Sequence, residues 1–288
     1  VWIATNPNGH LQATGRDVRR RKQYRYHPKW SAVRDENKFG RIVSFGKKIP
    51  RIRKTIQEHL SLPGLPREKV LATVVQLLEK TLIRIGNQEY AKANNSYGLT
   101  TLKDKHVKVS GATLKFQFRG KSGKEFSVGI ADRRLAKIIR KCQELPGQRL
   151  FQYQENEEYK AVESADVNEY LRNIAGEEFS AKDFRTWAGT VLAALALQEF
   201  EKFDSETQAK KNVVEAIRNV AKRLGNTPAI CRKCYIHPAV MDAYLDGEMA
   251  NILKSRTEKE LTENLTELSP EEAAVLAFLE KRLQKAAA

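Results

Sequence analysis

Thr113-Leu114-Lys115-Phe116-Gln117-Phe118 alternates polar and apolar side chains without a break, Gly120-Lys121-Ser122-Gly123 follows, and Glu125-Phe126-Ser127-Val128 resumes the alternation. A period of two puts Leu114, Phe116 and Phe118 on one face of a strand, and the two glycines permit a chain reversal between the runs. With His106-Val107-Lys108-Val109 just upstream, residues 99–130 read as a small three-stranded antiparallel sheet with Lys121 in its last turn.

On either side the period changes to that of a helix. Ile42, Phe45, Ile49, Ile52, Ile56 and Leu60 fall at steps of three and four, although Pro50 is expected to start or kink a helix there. Leu62-Pro63-Gly64-Leu65-Pro66 is a connector. From Arg67 the positions Val70, Val74, Leu77, Leu78, Leu82 and Ile85 form one apolar stripe, which Gly86 can end, so that Arg84 is expected at the end of that helix. Beyond the sheet the chain reads as helices over 132–145, 164–175, 181–200, 206–224, 227–236, 239–254 and 269–286. Ser205-x-x-Gln208 has the spacing of a capping box, and Gly225 suits the residue after a helix end. Residues 1–36 are polar and basic, too short for a core of their own, and read as part of a β-rich N-terminal domain. The fold class is therefore α+β: a partial β-rich N-terminal domain over 1–36, then a mainly helical domain over 37–288 with one small sheet. The chain opens Val1-Trp2-Ile3 rather than with Met, which suggests a fragment.

Charge narrows the function. The 288 residues carry 51 Lys+Arg against 35 Asp+Glu, a net of +16. Residues 1–60 hold 15 Lys/Arg and 4 Asp/Glu, whereas residues 247–288 hold 6 and 8. A basic chain whose charge gathers at one end suggests a polyanion partner, most often nucleic acid. The longest apolar run, Val191 to Leu197, is far too short to span a bilayer, so no membrane partner is expected. Three cysteines cannot build a disulfide framework and point to a reducing compartment. Cys231-x-x-Cys234 has the look of half a redox or zinc site, but no second pair follows. Ordinary thiols, with His237 as a helix-end residue, are the simpler reading.

Arg19-Arg20-Arg21-Lys22-Gln23-Tyr24-Arg25-Tyr26 joins cations to two aromatics and an amide, which suits phosphate contacts with some reach toward bases; a solvated charge run is the alternative. Arg84, Lys121, Arg185 and Tyr235 each have a bland reading alone. As a set they match phosphodiester chemistry. Two guanidiniums can neutralise the non-bridging oxygens, a tyrosine oxygen can form a covalent phosphotyrosine, and an ammonium can protonate the departing alkoxide. There is no H-E-x-x-H, P-loop or convincing carboxylate cluster to support a metal-dependent or nucleotide-hydrolysing route, and no cofactor is expected.

Six short segments also carry a family resemblance: Leu82-Ile83-Arg84-Ile85-Gly86-Asn87-Gln88-Glu89-Tyr90, Tyr97-Gly98-Leu99-Thr100-Thr101-Leu102, Phe118-Arg119-Gly120-Lys121, Lys182-Asp183-Phe184-Arg185-Thr186-Trp187, Leu224-Gly225-Asn226-Thr227-Pro228 and Cys231-Arg232-Lys233-Cys234-Tyr235. In this order they resemble the type IB DNA topoisomerases, most closely the small bacterial and poxvirus-like branch, over roughly residues 16–240. The resemblance implies the fold shared by tyrosine recombinases and type IB topoisomerases, and relaxation of supercoiled double-stranded DNA without ATP or metal. It implies that Tyr235 becomes linked to the 3′ phosphate, Arg84 and Arg185 hold the non-bridging oxygens, and Lys121 is the general acid. Arg19, Arg20, Arg21, Lys22, Gln23, Tyr24, Tyr26 and Tyr90 are the implied DNA contacts. Poxvirus and eukaryotic members have His before Thr-Pro where this chain has Asn226, whose amide can still donate to a phosphate oxygen; Asn at this place suits the bacterial branch. A tyrosine site-specific recombinase, or a non-catalytic DNA-binding relative that kept the fold, is the alternative; Lys182 stands where recombinases typically carry His. The expected protein is a monomer that clamps the duplex, in the cytoplasm with the nucleoid, with no small-molecule substrate.

Overall fold

The computed structural model describes residues 1–18, 22–156, 158–200, 203–248 and 268–287. Arg19, Arg20 and Arg21, and positions 249–254 of the helix expected over 239–254, lie outside them. Two compact units divide the chain, Val1–Ser44 and Phe45–Ala288.

The first unit holds an antiparallel meander of β1 (Trp2–Ile3), β2 (Leu11–Arg16) and β3 (Lys22–Tyr26). Thr14 of β2 faces Trp2 on one side and Tyr24 on the other, with a bulge between Leu11 and Ala13. All five residues of β3 are exposed. Tyr24 and Tyr26 stack with their rings 6.2 Å apart, and the Lys22 ammonium stands 5.4 Å from the Tyr24 ring. Gln23 Nε2 donates to Asp17 at 3.1 Å.

Helix α1 (Pro28–Leu60) begins in the first unit and ends in the second. It runs through Pro50 instead of starting there. The proline forfeits one backbone bond, but Phe45, Ile49, Ile52, Ile56 and Leu60 are all buried on either side of it, and that packing outweighs the loss. Phe45 meets Phe179 and Phe184 edge-on at 5.2 and 5.0 Å.

The centre of the second unit is α2 (Arg67–Thr81), in which every residue from Val70 to Leu78 is buried. A helix buried all round has neighbours on every side; α5 (Ser164–Ala175), α6 (Ala181–Glu199) and both sheets of the unit pack on it. It ends earlier than the apolar stripe suggests. Leu82 turns into the left-handed region at φ 56°. Arg84 therefore sits in the segment that follows α2, not on the helix.

The sheet expected from the opening alternation is present as β4 (Val107–Ser110), β5 (Thr113–Arg119) and β6 (Glu125–Ala131), in register Phe116↔Val128 and Phe118↔Phe126. Its β5 burial alternates at every residue. Helix α3 (Gln88–Asn94) and a hairpin of β7 (Gln152–Glu155) with β8 (Glu158–Ala161) were not expected from the sequence. The remaining helices are α4 (Arg133–Gln143), α7 (Glu206–Leu224), α8 (Pro228–Cys234), α9 (Pro238–Leu245) and α10 (Pro270–Ala287). Ser205 caps α7 by accepting from Gln208 N, and Gly225 at φ 62° ends it. Helix α9 stops well short of 254: Asp246 caps it and Gly247 turns at φ 70°. Among the described residues no helix is long and apolar enough to cross a membrane.

Candidate active site

Arg84 is held by backbone. Its carbonyl accepts from Leu99 N at 2.9 Å, and Ile85 O accepts from Thr100 N at 2.8 Å, so the Tyr97–Leu102 segment is laced to the Arg84 segment. A Cβ on Gly98 would stand 2.5 Å from Arg84 O, so only glycine allows this approach. The same segment reaches the sheet through Tyr97 N, which donates to Arg119 O at 2.8 Å. Lys121 follows at once, exposed on a single 3₁₀ turn, Lys121–Gly123, above the stacked Phe118 and Phe126 rings.

Arg185 lies on the first turns of α6 and is buried, 3% exposed. Its Nη1 donates to Leu82 O and its Nη2 to Leu224 O at 2.8 Å; its Nε is buried and has no hydrogen-bond partner among the described residues. Burial holds this guanidinium below its ordinary value, with Tyr235 opposing the fall and the Arg84 charge adding to it. The Arg185 cation stands 5.2 Å from the Tyr235 ring.

Tyr235 is not within a helix, as the sequence suggested, but caps α8 at φ −135°, in the junction before α9. That junction is fixed to α6. A Cβ on Gly189 would meet Tyr235 O at 2.4 Å, so helix and junction touch backbone to backbone. His237 N donates to Thr190 Oγ1 at 3.1 Å, and Ile236 is fully buried. His237 is a helix-end residue, its Nδ1 accepting from Ala239 N. Cys142, Cys231 and Cys234 are free thiols. The Cys231 thiol is pushed up by burial, against the pull of Arg185 and of the Asn226 amide.

These residues converge. A cleft of about 340 Å³ is lined by Arg84, Lys121, Arg185 and Tyr235, together with Tyr90 of α3. Four elements distant in sequence thus supply two guanidiniums, an ammonium and a phenol to one surface. Asn226 is not in the cleft wall but behind Arg84, whose Nη2 donates to Asn226 Oδ1 and, at 3.3 Å, to Gly225 O. Its Nδ2 is buried and makes no conventional hydrogen bond to nitrogen or oxygen among the described residues. Nor does Asn226 cap α8: Thr227 does, accepting from Ile230 N. Lys22, Gln23, Tyr24 and Tyr26 belong to the N-terminal unit and are exposed on β3. Sequence reasoning did not propose Asn87, Ser96, Tyr97 or Lys182 as cleft residues, though all four line it. Lys182 was legible, lying three residues before Arg185 and so one helical turn away.

The model of the eukaryotic DNA topoisomerase I catalytic core matches residues 27–264. The chain belongs to the type IB DNA topoisomerase family. Among the curated relatives of this topoisomerase, the DNA topoisomerase 1B of Acanthamoeba polyphaga mimivirus is 33% identical over 252 residues, covering 85% of this chain and 75% of that protein. The DNA topoisomerase 1B of vaccinia virus (strain Copenhagen) is 24% identical over 246 residues, 84% of this chain and 75% of the relative. The DNA topoisomerase 1 of rabbit fibroma virus (strain Kasza) is 25% identical over 250 residues, 83% and 74%. All three are viral, so the bacterial source suggested by Asn226 finds no support among them, whereas the viral-like branch does.

Proposed function

We propose that this cleft cuts and reseals one strand of duplex DNA, with Tyr235 as nucleophile, Arg84 and Arg185 on the non-bridging oxygens and Lys121 as general acid. Membership of the family makes the chain a DNA topoisomerase, an isomerase that relaxes DNA through a tyrosine-linked intermediate. The observation that carries the residue assignments is the convergence of two arginines, a lysine and a tyrosine on one cleft, with a buried Arg185 Nε–H left unpartnered beside the Tyr235 ring. A buried donor without an acceptor costs stability and suits an acceptor brought by a ligand.

In the forward step the Tyr235 Oη–phosphorus bond forms and the bond to the 5′ oxygen breaks. Lys121 delivers a proton to that oxygen, and the tyrosine proton passes to water. The reverse step restores both. Because the phosphotyrosine keeps the energy of the broken ester, no ATP enters. The arginines stand ready where charge develops, and their carbonyl partners fix them before DNA arrives, so little reorganisation is left to the reaction itself. Relaxation of a supercoiled plasmid in EDTA without ATP tests the assignment; a recombinant product would instead favour the recombinase reading.

Asn226 is assigned to the same site as the residue that orients Arg84 from behind. Asn226→Ala is expected to slow cleavage and religation less than loss of either arginine, since it removes an oxygen that holds Arg84 but takes no positive charge away from the phosphate. Its melting temperature should barely move. Thr227→Ala should do the opposite, costing about 1 kcal/mol of stability with a nearly intact cleavage rate. A destabilised Asn226→Ala protein with normal cleavage would remove Asn226 from the site.

The basic N-terminal unit is assigned to the DNA backbone, with Lys22, Arg25 and the flanking arginines on phosphates, and the whole to a monomer engaging one duplex in the compartment that holds its DNA. Replacing Lys22 and Arg25 with Ala should weaken binding across all sequences and flatten the log–log salt slope by about 0.9 for each phosphate no longer neutralised. Gln23→Ala should change site preference by roughly 1–3 kcal/mol if its amide leaves Asp17 for a base. An unchanged slope would leave β3 a solvated charge run.

A further inference from the structure

Behind the two arginines lies a set of buried charges that the chemistry above does not use. Arg53 of α1 bridges two carboxylates. Nε and Nη2 donate to Glu79 Oε1 at 2.8 and 2.7 Å, and Nη1 and Nη2 pair with the two oxygens of Glu272 at 2.9 Å each. Glu272 also accepts from Trp187 Nε1 at 3.0 Å and from Ser269 N at 3.0 Å. Each carboxylate is tied to an element that leads to an arginine of the cleft. Glu79 lies on the last turn of α2, just before Leu82, whose carbonyl accepts from Arg185, and before Arg84. Trp187 follows Arg185 by two residues on α6, about 200° around the helix, so it points out of the opposite face from the guanidinium. Glu272 lies in the first turn of α10, beyond the residues that match the family's core.

One arginine between two carboxylates in a half-buried place is a costly arrangement for stability alone, and well-packed apolar residues often do as well. What it supplies is geometry: a bidentate fork fixes angle as well as distance. Burial pushes the Glu79 carboxyl up, whereas Arg53, Ser269 and Trp187 keep Glu272 below its ordinary value in spite of burial.

We propose that Glu272 is a positioning residue: through Arg53 and Trp187, the first turn of the C-terminal helix sets the spacing of Arg84 and Arg185 from behind. This rests on the reading that the two arginines hold the scissile phosphate. It also gives the acidic C-terminal segment a task in the reaction, although none of its described residues lines the cleft.

The test compares wild type, Glu272→Gln, Trp187→Phe and Arg185→Ala in single-turnover cleavage at saturating duplex, on an ordinary scissile phosphodiester and on a methylphosphonate at the same position. The methylphosphonate lacks the charged oxygen that the arginines are spaced to hold. Glu272→Gln and Trp187→Phe should cleave the phosphodiester about 10–100-fold more slowly, the scale of a misplacement near 1 Å. Duplex affinity and the fraction of active enzyme should stay at wild-type levels, and the deficit should shrink on the methylphosphonate. A deficit equal on both substrates, or confined to a smaller active fraction with an unchanged rate constant, would mean general destabilisation and overturn the inference, as would wild-type rates in both variants. Arg185→Ala separates the layers. If its own deficit does not shrink on the methylphosphonate, the phosphate-holding role fails; if it shrinks while those of Glu272→Gln and Trp187→Phe do not, only the brace fails.

Discussion

Tyr235→Phe is expected to abolish relaxation and covalent DNA attachment while duplex binding persists. The change removes one oxygen, the atom proposed to bond the phosphate, and keeps the ring that packs 5.2 Å from the Arg185 cation. Because Gly189 and Thr190 grip the backbone and not the phenol, the junction should keep its shape. The check is a plasmid relaxation assay together with a denaturing gel for the protein–DNA adduct. Wild-type relaxation by the Phe variant would transfer the nucleophile to another residue.

Lys121→Ala is expected to lose roughly 10²–10⁴ in the cleavage rate, the usual contribution of a general acid. An alkoxide is a poorer leaving group than a phenolate, so breaking the 5′ bond depends on protonating its oxygen. Lys121 is exposed on its turn and lines the cleft, where it can reach a bound strand. A substrate whose 5′ bridging oxygen is replaced by sulfur leaves without a proton and should restore most of the rate. Equal loss on the two substrates would exclude Lys121 as the acid and reduce it to a phosphate contact.

The parts of this molecule that were legible in the sequence are those set by neighbours along the chain. The β5 alternation is written in its own residues, and α5 and α7 begin and end where their periodicity and caps say. Elsewhere tertiary contacts decide. Pro50 reads as a break, yet buried side chains on both sides carry α1 through it. Leu82 and Ile85 continue the stripe of α2, yet the chain leaves the helix at Leu82, because Leu82 O is wanted by Arg185 and Arg84 O by Leu99 N. Gln152–Ala161 is mostly polar, and only Asn156 at φ 50° betrays its turn. For the site, residue types and motif order identified Arg84, Lys121, Arg185 and Tyr235, which do meet. No local pattern could place Asn226 behind Arg84 or bring Glu272 to Trp187, since those contacts span 142 and 85 residues.

The junction around Tyr235 has a mechanical consequence. If Tyr235 holds the 3′ end as proposed, the unwinding duplex exerts torque on that bond, and the reaction must pass into the protein. A nucleophile on a slack loop would swing with it. Here the path of the load is short and stiff: one residue beyond Tyr235 the chain enters the core at Ile236, and at His237 it is tied to Thr190 on the same helix that carries Arg185. On the proposed mechanism such an anchor would keep the held end in register while the free end turns.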